Sequence, residues 1–165
     1  MAALEARASG IHVTFAPMWD MPDGDGLRKA SVLMQDGAPF SFHYGLSYTI
    51  YDYANLRLSA NTIDKTENLT VNVQVTNSGR VAGTEVVQLY LRDPVSSRIR
   101  PVKELKGFQR ITLQAGESKN ISFTLSNNDL AAYNADGSFV AEPGDFDMWV
   151  GGDSQHGLHA RFTLR

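Results

Sequence analysis

From residue 53 onward the chain alternates apolar and polar positions with a period of two. In Asn68-Leu69-Thr70-Val71-Asn72-Val73-Gln74-Val75-Thr76 every second residue is apolar. That period puts Leu69, Val71, Val73 and Val75 on one face of a half-buried strand. Thr84 to Arg92 reads as the next strand, with Val87, Leu89 and Leu91 on one face and Val86, Gln88 and Tyr90 on the other. The alternation returns at 119–124, with Ile121, Phe123 and Leu125 inward. It returns again at 145–151 with Phe146, Met148 and Val150, and near the end with Ala160, Phe162 and Leu164. Between these runs, Asn77-Ser78-Gly79 predicts a turn in which Gly79 takes a positive φ. Gly107 and Ala115-Gly116 predict corners, and Asn127-Asn128-Asp129-Leu130 predicts an Asx-capped helical turn.

Strands are expected near 53–59, 68–76, 84–92, 102–113, 118–125, 138–141, 145–151 and 159–164. Short strands with turn signals every ten or so residues mean an all-β sandwich or barrel. The number suits an immunoglobulin-like or fibronectin type III-like β-sandwich. Its expected core holds Leu69, Val71, Val73, Val87, Leu89, Ile121, Phe123, Phe146, Met148 and Phe162. Before residue 50 the pattern differs. A helix-former run, Ala2 to Ala8, stops at Ser9-Gly10. The β-rich run Ile11-His12-Val13-Thr14-Phe15-Ala16 is closed by Pro17, and Met21 to Gly26 is turn material. This divides the chain into an N-terminal arm, 1–38, and a sandwich domain, 39–165.

Composition narrows the function. The 165 residues include 15 Lys and Arg against 18 Asp and Glu, a net charge of −3. Such a chain lacks the basic face with which nucleic-acid binders displace counterions. No cysteine is present, so no disulfide or thiolate chemistry is expected. No run approaches the roughly 20 apolar residues that span a bilayer. Glu5 and Arg7 interrupt the first ten residues, so no signal-peptide core is expected there. The expectation is a soluble chain in an unspecified compartment, with no cofactor, no nucleic acid and no membrane as partners. A complete (β/α)8 barrel needs about 200 residues or more, so none fits.

One run resembles a known family. Phe42-His43-Tyr44-Gly45-Leu46-Ser47-Tyr48-Thr49 is similar to the segment leading into the C-terminal domain of the family 3 glycoside hydrolases, the β-glucosidases and β-xylosidases. His43 stands where the family usually has glycine. The likeness continues through Val73 to Gly79, Gly83 to Tyr90, Arg100 to Phe108, Ala115-Gly116-Glu117 and Pro143-Gly144-Asp145-Phe146. It implies a fibronectin type III-like domain over about residues 39–165. Residues 5–20, from Glu5-Ala6-Arg7 to Met18-Trp19-Asp20, resemble a helix-to-strand unit of the same family's catalytic barrel. The two matches belong to distant parts of the family's chain, which implies an internally deleted or fragmentary member. Such proteins are often periplasmic or secreted, and the parent's catalytic domains would be this domain's natural partners.

Little catalytic chemistry is expected to remain. Retaining glycosidases need two carboxyl groups roughly 5–5.5 Å apart across the sugar. The family nucleophile lies in a Ser-Asp-Trp-like strand end, and no Ser-Asp pair occurs here. Asp20, Asp23 and Asp25 lie near Trp19 but read as turn residues. No catalytic residue is assigned, although residual β-glucosidase activity stays open as an alternative. His156 and His159 are too few for a metal site. Asn68-Leu69-Thr70 and Asn120-Ile121-Ser122 fit the glycosylation pattern. A carbohydrate-binding face is the other alternative. Asp145, Asp147 and Trp149 share a face if no bulge intervenes, and Tyr44, Tyr48, Tyr51, Tyr53 and Tyr133 are further aromatic candidates. Trp149, Asp147 and Tyr48 are the named sugar candidates. Between Arg92 and Arg110 stand Arg92, Arg98, Arg100, Lys103, Lys106 and Arg110 against Asp93 and Glu104. Tyr44, Tyr48, Arg98, Arg100 and Lys103 therefore mark an expected interdomain or partner surface. The apolar run Ile11 to Phe15 must be buried somewhere, and a homodimer through the arm is one way to do it.

Overall fold

The computed structural model describes residues 47–97, 100–134 and 136–165. The arm, with Ile11 to Phe15, Asp20, Asp23 and Asp25, lies outside the described residues, as do Tyr44 and Arg98. The strands are β1 (Tyr51–Leu58), β2 (Thr62–Ile63), β3 (Leu69–Asn77), β4 (Gly83–Arg92), β5 (Glu104–Leu113) and β6 (Ser118–Leu125). A single helical turn, α1 (Asn127–Leu130), follows. Then come β7 (Ala132–Tyr133), β8 (Phe139–Val140), β9 (Gly144–Gly151) and β10 (Leu158–Leu164). One sheet has the order β1-β3-β6 and the other β2-β10-β9-β4-β5, with β7-β8 a separate ribbon. This is the all-β sandwich that the alternation predicts.

The two inner faces meet in one core. From the smaller sheet come Leu69, Val71, Val73 and Val75 of β3 with Ile121, Phe123 and Leu125 of β6. From the larger come Val87, Leu89 and Leu91, Ile111 and Leu113, Phe146, Met148 and Val150, and Phe162 and Leu164. Phe146 and Phe162 face each other across β9 and β10 with ring centroids 5.4 Å apart and nearly parallel planes. Every residue of the expected core is in this cluster. Period two suffices for β3 and β6 because each buries one face fully and leaves the other nearer to water.

Several local expectations are corrected. Gly79 does not take a positive φ; among described glycines Gly116 and Gly137 do. Gly79 is needed for space, since a Cβ there would stand 2.0 Å from Thr49 Oγ1 and 2.9 Å from the Ile50 nitrogen. Gly107 is no corner. It lies within β5 opposite Leu89, next to a bulge, and a Cβ would touch the Phe123 ring at 3.0 Å. The cap of α1 is Ser126, not an Asx residue. Its backbone N–H and its hydroxyl both donate to Asp129 Oδ2 at 2.7 Å. Strand β2 has two residues and no periodic signal. It pairs in parallel with β10 and sends Ile63 into the core. Edge strand β1 carries a bulge between Ala54 and Arg57, where Asn55 has φ 56° and its amide donates to Gln74 Oε1 at 2.9 Å. A bulge there twists an exposed edge away from further pairing.

Candidate functional site

The outer face of the larger sheet is not simply solvated. On β4, Gln88 and Tyr90 point away from the core, yet they are 1% and 4% exposed. What covers them is the β9–β10 connection, residues 152–157. Gln88 Nε2 donates to the Gly152 carbonyl at 2.7 Å, and the Tyr90 hydroxyl donates to Gln88 Oε1 at 2.5 Å. Lys103 Nζ donates to the Ser154 carbonyl at 2.8 Å and stands 4.3 Å above the Trp149 ring centroid. The connection closes on itself through Asp153, which accepts from the backbone of Gln155 and His156 and pairs with the His156 ring at 3.0 Å. Glycine is required at 151: a Cβ there would lie 2.2 Å from the His156 carbonyl oxygen.

The expected acid–aromatic face exists, but its polar groups are turned on one another. No register shift interrupts β9 against β10, so Asp145, Asp147 and Trp149 do share the face opposite Phe146 and Met148. Asp147 accepts from Arg161 Nε at 2.9 Å and meets His159 Nε2 at 3.0 Å. The hydrogen bond from Arg161, helped by His159, holds its carboxyl below the usual carboxylate range. Burial pulls the Lys103 ammonium below the ordinary lysine value, and burial pushes the Tyr90 phenol up to about 12. The His159 ring packs at 5.0 Å from Trp149 on its open side across the strands. Trp149 thus already has a cation over its ring. Tyr48, fully exposed, precedes β1 in the other sheet, and no described contact joins it to Trp149 or Asp147.

In the charge run from Arg92 to Arg110, Arg100, Lys103 and Lys106 are partly buried while Arg92 and Arg110 are exposed. Arg100 is 10% exposed at its side chain. It donates through Nε to Glu104 Oε1 at 2.9 Å, and through Nη1 to Asp93 Oδ2 and the Leu130 carbonyl, both at 3.3 Å. Lys106 pairs with the other Glu104 oxygen at 2.8 Å. Burial acts to raise Glu104, but the hydrogen bonds from Arg100 and Lys106 outweigh it and hold its carboxyl low. Alternation in sequence cannot show that a loop cation is an interior strut.

A second junction lies where β1 begins. Asn77, at the end of β3, is completely buried. Its Oδ1 accepts from Thr49 Oγ1 at 2.6 Å and from the Gly79 N–H at 3.1 Å. Its Nδ2 donates to the Val81 carbonyl at 2.9 Å and the Leu113 carbonyl at 3.1 Å. Around this staple the side chains of Tyr48, Ile50 and Val81 stand exposed. The sequence reading did not single out Asn77; its one signal was an Asn in a turn tripeptide.

Among the described residues no group of three His, Cys, Asp or Glu could hold a metal, and no helix is long and apolar enough to cross a membrane. On this face and loop Asp147 is engaged by Arg161 and His159, Asp153 by His156, and Asp145 accepts from the Thr163 hydroxyl at 2.7 Å.

Two packed, mainly antiparallel sheets with this strand order form a fibronectin type III-like sandwich, and residues 85–154 match the fibronectin type III-like domain family. A periplasmic β-glucosidase of Salmonella typhimurium is 40% identical over 129 residues, covering 78% of this chain and 17% of the relative. A β-xylosidase of Formosa agariphila is 44% identical over 137 residues, covering 82% and 19%. Among solved structures, a β-glucosidase from Erythrobacter marinus superposes with a TM-score of 0.73 at 40% identity, over 76% of this chain and 17% of that one. The β-glucosidase of Listeria innocua in complex with glucose gives 0.72 at 36% identity, over 75% and 17%. The domain is the C-terminal fibronectin type III-like domain of the family 3 glycoside hydrolases. The chain spans under a fifth of the length of the curated relatives it matches.

Proposed function

We propose that this chain is a non-catalytic accessory domain of a family 3 β-glucosidase-like protein, internally shortened, whose role is to brace catalytic domains. The observation that carries this reading is the extent of the likeness: four-fifths of this chain corresponds to under a fifth of a β-glucosidase or β-xylosidase. Two further features support it. The Asp147 carboxylate on the aromatic face is tied up in ion pairs with His159 and Arg161. The exposed group Tyr48, Ile50 and Val81 sits where β1 begins, beside the residues that lead into the sandwich, and an apolar patch of this kind suits a domain contact. Tyr44 and Tyr48 belong to this surface in the proposal. Arg100 and Lys103 are also tied to groups within the domain.

Hydrolysis of an aryl β-glucoside by the purified chain tests the reading. The expected result is no turnover above that of a blank preparation. Turnover that survives purification and falls on Asp20→Asn would overturn it in favour of residual β-glucosidase activity. The homodimer through Ile11 to Phe15 belongs to the same proposal, because a barrel-type strand needs partners for its backbone groups. Sedimentation of the full chain is expected to show a dimer, and a monomer at all concentrations would remove that part.

A further inference from the structure

At the end of the sandwich opposite Tyr48 the molecule carries a second set of exposed aromatics. Tyr133 and Phe139 are direct cross-strand partners in the β7–β8 ribbon, with ring centroids 5.0 Å apart and planes tilted by 54°. They are 66% and 49% exposed. Neither ring belongs to the core cluster, so burial within the domain does not account for them. Beside them lies a shallow surface cleft, lined in part by Tyr133, Asn134, Val140, Glu142, Ser97 and Arg100.

The chemistry of that cleft is polar. Arg100 is neutralised by Asp93 and Glu104. The Glu142 carboxylate accepts from the Ser97 hydroxyl and, at 2.9 Å, from the Ser97 N–H. Those bonds hold its carboxyl below the usual range. Asn134 Oδ1 accepts from the Asp136 and Ser138 N–H groups at 3.2 and 3.1 Å. This fixes the amide and leaves its Nδ2 donor without a partner among the described residues. The Tyr133 hydroxyl likewise has none there. Two tilted aromatic faces, a preset amide donor, a phenol and a carboxylate that is hydrogen-bonded but not ion-paired thus stand side by side. That combination disfavours phosphates, which the carboxylate repels. It fits a ligand with an apolar C–H face and a rim of hydroxyls.

We propose that the Tyr133–Phe139 ribbon and its cleft form a binding site for neutral pyranose chains. One sugar face lies on the rings while its hydroxyls reach Asn134 and Glu142. The cleft is far too shallow to enclose a ligand as ordinary small-molecule pockets do. It therefore takes the edge of one sugar unit, and the chain runs out over the rings into solvent. This site is separate from Trp149, whose ring is already covered by Lys103, and from Tyr48 at the other end. It does not depend on the accessory reading above, and catalytic turnover would leave it standing.

The test is native affinity electrophoresis of the full chain in gels containing soluble β-glucan or xylan, with titration calorimetry against cello- and xylo-oligosaccharides. The wild-type chain is expected to be retarded. Tyr133→Ala and Phe139→Ala should each weaken binding roughly tenfold, about the value of one aromatic contact. Tyr133→Phe should keep most of it, and Tyr48→Ala should leave it unchanged. Both rings are on the surface, so the Ala variants are expected to keep the wild-type melting curve, which is checked alongside. Absence of retardation in the wild type, or retardation that Tyr133→Ala and Phe139→Ala both leave intact, overturns the proposal. So does a self-association that vanishes in Tyr133→Ala while no glycan binds, which would assign the rings to a protein contact.

Discussion

Replacing Asn77 by Ala removes four hydrogen bonds in one step, and the structure allows the loss to be worked out. The amide joins three chain segments that β pairing alone does not bind together: Thr49 before β1, the Gly79–Val81 turn, and Leu113 at the end of β5. Each such bond contributes a net of about 0.5–1.5 kcal/mol, and a buried group left unpaired costs about 1–3 kcal/mol. Asn77 is 0% exposed and Leu113 is fully buried, so water cannot readily replace the lost donor there. Thr49 and Val81 are nearer the surface and recover part of their loss. The expected destabilisation is about 3–5 kcal/mol, a large fraction of the roughly 5–15 kcal/mol of a typical domain. Urea unfolding followed by tryptophan fluorescence measures it. With a slope of about 1–3 kcal/mol per molar, the midpoint should fall by more than 1 M. Thr49→Val removes a single bond and should cost about 1 kcal/mol. Added to Asn77→Ala it should cost almost nothing further, because its partner is already gone. A loss below about 1 kcal/mol for Asn77→Ala, or full additivity of the two changes, would refute the reasoning.

Three other outcomes follow from the geometry. Phe123→Ala, which empties the space over Gly107, should cost about 3–5 kcal/mol in the same urea assay, and a cost under about 1 kcal/mol would contradict its placement. Gly151→Ala drives a Cβ into the His156 carbonyl. It should lower the melting temperature and shift Trp149 emission as the 152–157 connection lifts, and unchanged emission with an unchanged melt would show that the connection tolerates it. Acid should destabilise the fold through Asp147, held low chiefly by Arg161, and through Glu104, held low by Arg100 and Lys106 against burial. A depressed folded pKa contributes stability above the unfolded value of roughly 4 and loses it as pH falls through the folded one. The urea midpoint should therefore hold from pH 7 to about 5 and drop below about 4. Arg161→Met should shrink that drop, and a midpoint that is level to about pH 3 would count against both ion-pair groups.

The strands and the core were legible in the sequence because a half-buried strand writes its burial as period two. Leu69 to Val75 shows this, as do Ile121 to Leu125 and Phe146 to Val150, whose faces follow from chain order alone. The motif runs from Tyr44 to Tyr48 and from Pro143 to Phe146 likewise marked the family. What sequence could not decide was the partner of each polar side chain. Gln88 and Tyr90 alternate as though facing water, yet the 152–157 connection folds back over them. Arg100 reads as part of a basic surface, yet Asp93 and Glu104 enclose it. Asn77 reads as a turn residue, yet it joins three segments. Strand β2 and the Tyr133–Phe139 ribbon are two-residue elements, too short to carry a period. Periodicity is a local property fixed by the backbone, so the chain alone determines it. A hydrogen bond such as Thr49–Asn77 or Gln88–Gly152, 28 and 64 positions apart, exists only once the sheets have packed, so only the tertiary structure decides it.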